Sequence, residues 1–418
     1  MRLEEIYVRN HRRLKETTVV FENAEQTKFL SGIYGEVGIT LFAGPNGSGK
    51  TSLLSFIAQF FHRLEREPDR LETAFSITYS IDGDGGIVHR CTLSRSTGDG
   101  GVSISVDGAP LGVVRRNDRG NPVLNSGSIN YSDIARFLPT NIITSAFSLH
   151  GEYPLPRSAK WIGDRRLDVY DTKNLYGINH YAFPPFSGAI GKLMGLVLAN
   201  DPAIRSLETL LDARFTSEIK IIEREYSASE EEWVIATPEI LERERKGEIY
   251  INDFLIESES TLLTLSNMSS GQKMLMIRLL SILGKIQHGS IVIIEEPEVH
   301  LDSNWSRQLI SLLLAFFSRY RAHLLIATHS FSLLNAVPRD WIFIAQRGHF
   351  SKPTRPTLLA NEASLSDALF SPRPHVVEER VMEYSSQATA SELENLFMQL
   401  GESSAKFEIF KQLTKKKK

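Results

Sequence analysis

The stretch best equipped for chemistry is "GPNGSGKT", residues 44–51. It fits the pattern G-x-x-x-x-G-K-[ST] without a mismatch. Gly44, Gly47 and Gly49 leave backbone N–H groups free to wrap an anion and allow positive φ where the loop must turn. Asn46 and Ser48 fill out the loop. Lys50 would reach the β- and γ-phosphates, and the Thr51 hydroxyl would ligate Mg²⁺. Three later segments also carry reactive groups. "NMSSGQKM" (267–274) is a Ser/Gly turn capping a helix, "IVIIEEPEVHLD" (291–302) is an apolar strand delivering two carboxylates, and "IATHS" (326–330) is a strand ending in histidine.

Elements must hold these groups. "VGITLFAG" (37–44) reads as a buried strand feeding the loop, and the helix from Ser52 to about residue 65 points its positive end at bound phosphates. Residues 2–8 and 17–21 alternate like strands. "AFSITYSID", "GIVHRCTLS" and "GVSISVDG" are short alternating runs divided by Gly and Asp, which predicts an antiparallel β-meander over 73–107. "NIITSAFS" (141–148) is strand-like, residues 154–183 read as an irregular surface segment, and "GAIGKLMGLVLAN" and "AIRSLETLLDARF" read as helices. "EIYINDFLIES" and "TLLTLS" read as strands returning to the main sheet. From residue 271 apolar helices and buried strands alternate, the signature of a mostly parallel sheet covered on both faces. The tail predicts two charged helical stretches ending in "KKKK", a solvated terminus.

In this order the segments resemble the ATPase head of ABC type: phosphate loop, signature, acidic strand end, switch histidine. The resemblance implies an α/β P-loop NTPase fold whose mixed, mostly parallel sheet is covered by helices, with an antiparallel β-meander and a helical insertion. The boundaries that follow are 1–150 for the first part of the core, 151–250 for an irregular and helical insertion, 251–346 for the second part of the core, and 347–418 for a helical tail. It implies ATP and Mg²⁺ as cofactors. Met268-Ser269-Ser270-Gly271-Gln272 is similar to the signature, which in that family caps the γ-phosphate bound by a second subunit; Ser269, Gly271 and Gln272 are the positions carried over. Glu295 stands where the family holds Mg²⁺, and Glu296 where a carboxylate polarises the attacking water. Leu301-Asp302 matches the loop that crosses the dimer interface, and His329 the histidine that senses the γ-phosphate. "VRNHRRLKETTVVF" resembles the opening of the RecF and SMC-like branch, with Asn10 and Arg12 at positions that approach the nucleotide and His11 in place of an aromatic. The glutamine of the family's Q-loop is not apparent, and Ser145, Ser148 and His150 are the candidate substitutes. "EEPE" is also familiar from OLD-type nucleases.

Composition sets the outer bounds. The chain has 418 residues, with 42% hydrophobic and 23% charged residues, ordinary for a soluble globular protein. Its net charge of −3 gives no global pull toward nucleic acid, leaving only a local basic patch open. One cysteine, Cys91, excludes an internal disulfide and a cysteine-based metal cluster. "MRLEEIYVRNHRRL" carries charges where a signal peptide needs an apolar core, and no apolar run is long enough for a membrane span. The expectation is a cytoplasmic protein without a membrane partner.

A narrower likeness runs through "FLPTNIITSAFSLHGEYPLP", "VYDTKNLYGINH" and "LDSNWSRQLISLLLAFFSRYRAHLLIATHSFSLLNAV". These segments resemble the defence ATPases of Septu systems and the related retron-associated ATPases. That likeness implies a dimer or larger assembly acting with a separately encoded effector, an HNH-type nuclease, to restrict phage. The chain itself offers no nuclease site: the tail after residue 346 is too short for a TOPRIM domain and lacks an Asp-x-Asp pair. A RecF-like repair ATPase and an ATP-closed scaffold with little turnover are the alternatives. The irregular 154–183 segment and the charged helices around 375–412 are the expected docking surfaces.

Overall fold

The computed structural model describes residues 1–21, 28–66, 71, 73–96, 98, 101–116, 122–124, 134–146, 153, 169–171, 186–223, 231–259, 261–361, 365, 376–401 and 404–416. Strands β1 (Arg2–His11) and β2 (Leu14–Val20) open the chain, followed by helix α1 (Lys28–Tyr34), strand β3 (Gly38–Ala43) and helix α2 (Lys50–Arg66). Next come β4 (Phe75–Asp82), β5 (Val88–Arg95), β6 (Val102–Val106), β7 (Ala109–Arg116) and β8 (Pro122–Leu124). Strands β9 (Ile142–Ser145) and β10 (Val169–Asp171) precede helices α3 (Ser187–Leu198) and α4 (Pro202–Leu211). The chain continues through β11 (Arg214–Glu223), β12 (Glu231–Ile235), α5 (Pro238–Arg245), β13 (Ile249–Ser258) and β14 (Thr261–Leu263). It then alternates through α6 (Ser270–Lys285), β15 (Ile291–Glu295), α7 (Ser303–Phe317), β16 (His323–Thr328), α8 (Phe331–Leu334), β17 (Ile342–Gln346) and β18 (His349–Ser351). Helices α9 (Val376–Gln387), α10 (Ala390–Gln399) and α11 (Ser404–Lys416) close it.

The main sheet has the order β10-β9-β15-β16-β3-β17-β18, parallel throughout except for β18. Strands β3, β15 and β16 are buried along their whole length, as central parallel strands covered on both faces must be. Their runs "GITLFA", "IVIIE" and "HLLIAT" therefore show no alternation of polar and apolar residues. On one face Phe42, Ile291, Ile293, Leu325 and Ala327 share a core with Leu53, Ile57 and Phe60 of α2 and with the inner face of an antiparallel sheet, β2-β1-β4-β5-β6-β7-β8. This second sheet includes the meander read from the sequence, and it backs the helix that follows the phosphate loop.

Four expectations need correction. The segments "EIYINDFLIES" and "TLLTLS" do not return to the main sheet; β13 and β14 join a third, antiparallel sheet of order β12-β11-β13-β14. Ile249, Ile251, Phe254 and Ile256 of β13 are buried and pack toward α3, while the intervening residues are only partly covered. Such one-sided burial suits an antiparallel sheet rather than a parallel core. Accordingly, the 151–250 stretch is not only irregular and helical, since β10, β11 and β12 lie in it. The expected helix "AIRSLETLLDARF" stops at Leu211 because Asp212 takes a left-handed backbone (φ 49°) and redirects the chain into β11. Among its described residues the tail forms three helices, where two were expected. Thr389 caps α10 in a reciprocal box with Glu392, restarting the helix after Gln387, and Gly401 lies between α10 and α11.

The chain divides into two compact units, Met1–Leu365 and Ser366–Lys418. The second has its own small core of Ala388, Leu393, Ile409 and Leu413. Among the described residues no helix is long and apolar enough to cross a membrane.

Candidate functional site

Three neighbouring strands deliver the reactive groups to one edge of the main sheet. β3 runs into the phosphate loop, β15 ends at Glu295 and Glu296, and β16, paired between them, ends at Thr328 and His329. Parallel strands necessarily place their C-terminal ends together, and open α/β sheets bind ligands there. The loop adopts the backbone its glycines permit, with φ of 149° at Gly44, 76° at Gly47 and 111° at Gly49. A side chain at Gly44 would also collide with the Ala345 carbonyl of β17. Gly348, in the turn after β17, donates its N–H to the Ser48 carbonyl at 2.7 Å, and its own carbonyl accepts from Thr17 at 2.8 Å. The loop is thus braced by both flanking sheets.

A cavity of about 210 Å³ opens at this edge, lined by Arg13, residues 46–52, Glu295, Glu296 and Ala327. Lys50 is buried there. Its Nζ donates to the carbonyls of Gly44 at 2.7 Å and Pro45 at 3.2 Å, and lies 3.1 Å from His329 Nε2. Burial pushes the Lys50 pKa down to about 8 against the opposing pull of Glu296, Glu295 and Glu298. His329 is also shifted downward, first by burial and then by Lys50, with Glu296 and Glu298 opposing. A neutral imidazole can accept from the ammonium through Nε2, and Glu296 Oε1 lies 3.3 Å from the same nitrogen. Glu296 itself has a left-handed backbone (φ 42°), uncommon for a non-glycine residue, pinned by its N–H to the Ala327 carbonyl at 2.8 Å. Strain of this kind, about 1–3 kcal/mol, persists where the surroundings over-determine it. Here it turns the carboxylate of Glu296 outward while Glu295 stays buried.

The residues present fit a nucleotide triphosphate with Mg²⁺. Ser48 Oγ is buried with no hydrogen-bond partner among the described residues, an orphan at the centre of an anion cradle. Thr51 and Glu295 supply the hard oxygen donors that Mg²⁺ prefers.

The other residues singled out in the sequence lie in supporting structure. Ser269 caps α6, accepting from the Gln272 N–H at 3.3 Å, while Gln272 Oε1 accepts from the Ser269 N–H at 3.0 Å. Gly271 passes so close to the His300 carbonyl that an added Cβ would sit 2.9 Å from it. Asp302 caps α7 through the N–H groups of Asn304 and Trp305, at 2.8 and 2.9 Å. None of these four lines the cavity. Asn10 and Arg12 occupy the β1–β2 turn with φ of 56° and 52°, and Arg12 reaches Ser55 Oγ on α2 at 3.3 Å. The neighbouring Arg13 is the one that meets the loop, donating to the Gly47 carbonyl at 2.5 Å. His11 packs on Phe56 with ring centroids 5.1 Å apart. Burial pushes its pKa down to about 4, so it does an aromatic's work as a neutral ring. Of the three candidates for the Q-loop position, Ser145 ends β9 beside Ile294, buried and without a hydrogen-bond partner among the described residues. Ser148 and His150 lie outside the described residues.

Sequence reasoning also passed over Asp253. From β13 its carboxylate accepts from the Leu265 N–H at 3.0 Å and so fixes the short turn ahead of Ser269. Burial raises its pKa against those hydrogen bonds. An acidic residue inside the largely apolar run "IYINDFLI" was the available signal.

Two family models match the chain. One, described as "AAA ATPase domain", covers residues 1–95. The other, described as "AAA domain, putative AbiEii toxin, Type IV TA system", covers residues 144–335. The phosphate loop falls in the first match, and the signature, both carboxylates and the switch histidine fall in the second. Both descriptions are of AAA-type ATPase domains, in keeping with the strand order and the cavity. Among curated proteins none matches the chain. Solved structures similar to it include the SmcHead bound to the C-winged helix domain of ScpA, at 13% identity and a TM-score of 0.44, covering 84% of this chain and 97% of that one. The SMC head domain from Thermotoga maritima is similar at 12% identity and a TM-score of 0.40, covering 84% and 98%. An Smc head with an extended coiled coil, bound to the C-terminal domain of ScpA derived from Pyrococcus furiosus, gives 10% identity and a TM-score of 0.41, covering 84% and 95%.

Proposed function

We propose that this chain hydrolyses ATP within a head-to-tail dimer and thereby controls a separately encoded effector, a nuclease of HNH type, in anti-phage defence. The observation that carries the dimer is the lining of the cavity: the phosphate loop, Arg13 and the acidic strand end contribute, and the signature at Ser269 does not. Ser269 stands at the positive end of a 16-residue helix, where anions are favoured, and would serve the nucleotide of a second copy. Bound Mg²⁺ would draw charge onto itself from the phosphate oxygens. Lys50 holds the phosphates, Thr51 and Glu295 hold the cation, and Glu296, turned outward by its backbone, takes the proton of the attacking water. His329, kept neutral beside Lys50, reads the γ-phosphate. The defence role is supported by the sequence likeness to Septu and retron-associated ATPases. It is also supported by the second family description, which joins an AAA domain to a toxin–antitoxin system.

Glu296→Gln tests the reading. The amide is nearly isosteric but cannot act as a base, so ATP should still bind while turnover falls by roughly 10²–10⁴-fold. ATP should then hold the variant as a dimer in light scattering, and Ser269→Arg in the same background should return it to monomer. Comparable turnover in wild type and Glu296→Gln would point instead to a scaffold that ATP merely closes.

A further inference from the structure

Glu298 is the third carboxylate at the end of β15, after Glu295 and Glu296, and it is not among the residues lining the phosphate cavity. Its Oε1 accepts from Thr328 Oγ1 at 2.7 Å and from the His329 backbone N–H at 2.8 Å. Thr328 Oγ1 in turn accepts from the Ser330 N–H at 2.9 Å, so one carboxylate oxygen organises the whole turn that presents the switch histidine. The backbone of Glu298 faces the other way: its carbonyl accepts from the Leu301 N–H at 3.0 Å, starting the turn that leads to Asp302.

A buried cation also meets the end of β15. Arg278, on the signature helix α6, is 4% exposed, and its Nη2 reaches the Glu295 carbonyl at 3.5 Å. Burial lowers its pKa to about 10, and the charge of Glu298 opposes that fall. A guanidinium is rarely buried without a counter-charge.

We propose that Glu298 is a positioning residue: it fixes His329 beside Lys50, and Arg278, which reaches the end of β15 at the Glu295 carbonyl, ties that placement to how the signature helix is seated. This rests on the ATPase reading of the site. When a second copy's nucleotide engages Ser269, a shift of α6 would reach His329 of the same chain through Arg278, the end of β15 and Glu298.

The test is steady-state ATP hydrolysis by the full chain carrying Glu298→Ala, Glu298→Gln, His329→Ala or the double change Glu298→Ala/His329→Ala. Glu298→Ala should lower kcat by about 10–10²-fold, the scale of a misplaced catalytic group, with KM within about threefold of wild type. Glu298→Gln should recover most of that loss, because an amide oxygen accepts the same two hydrogen bonds. The double variant should be no slower than His329→Ala alone, since the two residues act in series. Multiplying losses, a Gln variant no better than Ala, or a KM that rises in step with the loss would overturn the proposal. If Glu298→Ala does not fold, Thr328→Val decides, since it removes one of the two groups that Glu298 Oε1 grips. It should lower kcat with KM near that of wild type, and an unchanged kcat would overturn the proposal. Hydrolysis unaffected by His329→Ala would sink both this inference and the role given to His329. A slow His329→Ala beside a normal Glu298→Ala would sink this inference only.

Discussion

Lys50 holds the two carbonyls of its own loop in a place where phosphate oxygens would compete for the same ammonium. Lys50→Ala should therefore abolish ATP binding in a calorimetric titration, and an unchanged affinity would mean the loop is no nucleotide site. Arg13 is the second cation at the cavity, and a charge-assisted contact to phosphate is worth more than a neutral one. Arg13→Ala should weaken ATP binding by roughly tenfold, near the low end for hydrogen bonds to charged groups because the side chain is exposed. Arg12→Ala, which loses a contact to Ser55, should cost clearly less. Equal losses in the same titration would return the role to the turn as a whole.

The strands that carry the site are tied together by His323, at the start of β16. Its Nδ1 accepts from the Leu3 N–H of β1 at 3.1 Å, so Nε2 carries the proton and donates to Thr40 Oγ1 of β3 at 2.9 Å. Burial holds its pKa down at about 3, with Arg2 and the N-terminal amine adding to the shift. The unfolded chain binds a proton on this histidine below about pH 6.5 and the folded chain does not. His323 therefore contributes stability that is complete above that pH and drains away as pH falls toward the folded value, at up to about 1.4 kcal/mol per pH unit. His11 acts in the same direction at the β1–β2 turn, its pKa held at about 4. Urea midpoints followed from pH 7.5 to 4.5 should fall, and His323→Gln, which can keep both hydrogen bonds, should show a visibly shallower fall. Parallel slopes would mean the ring is protonated in the folded protein.

At the scale of the molecule, everything that forms the cavity lies within Met1–Leu365, and Ser366–Lys418 holds a core of its own. Removing residues 366–418 should leave ATP hydrolysis within about twofold of wild type, as independent units behave additively. The same deletion should abolish co-purification of the effector and protection from phage. Retained effector capture would move the docking surface to the ATPase unit. Metal-dependent DNA cleavage by the purified full chain, lost on deletion, would overturn the division of labour itself.

The sequence by itself determined the loop, because an uninterrupted G-x-x-x-x-G-K-T between an apolar strand and a helix has one local solution. It also determined the central strands, because runs such as "IVIIE" and "HLLIAT" can only be buried on both faces. The meander was legible from its period of two and its Gly/Asp breaks. What only the tertiary structure decided are matters of which neighbour a residue meets. "HRRL" presents two adjacent arginines, and the positive φ at Asn10 and Arg12 settles that Arg13 faces the loop. β13 reads as a good strand in any sheet; burial on one face assigned it to the third. Glu298 follows Glu296 by two residues and looked like one more acid in a turn. Its grip on His329, 31 positions later, exists because β15 and β16 lie side by side. Local pattern fixes what an element is, since propensity and burial act along the chain. Pairing between distant elements fixes what its side chains touch.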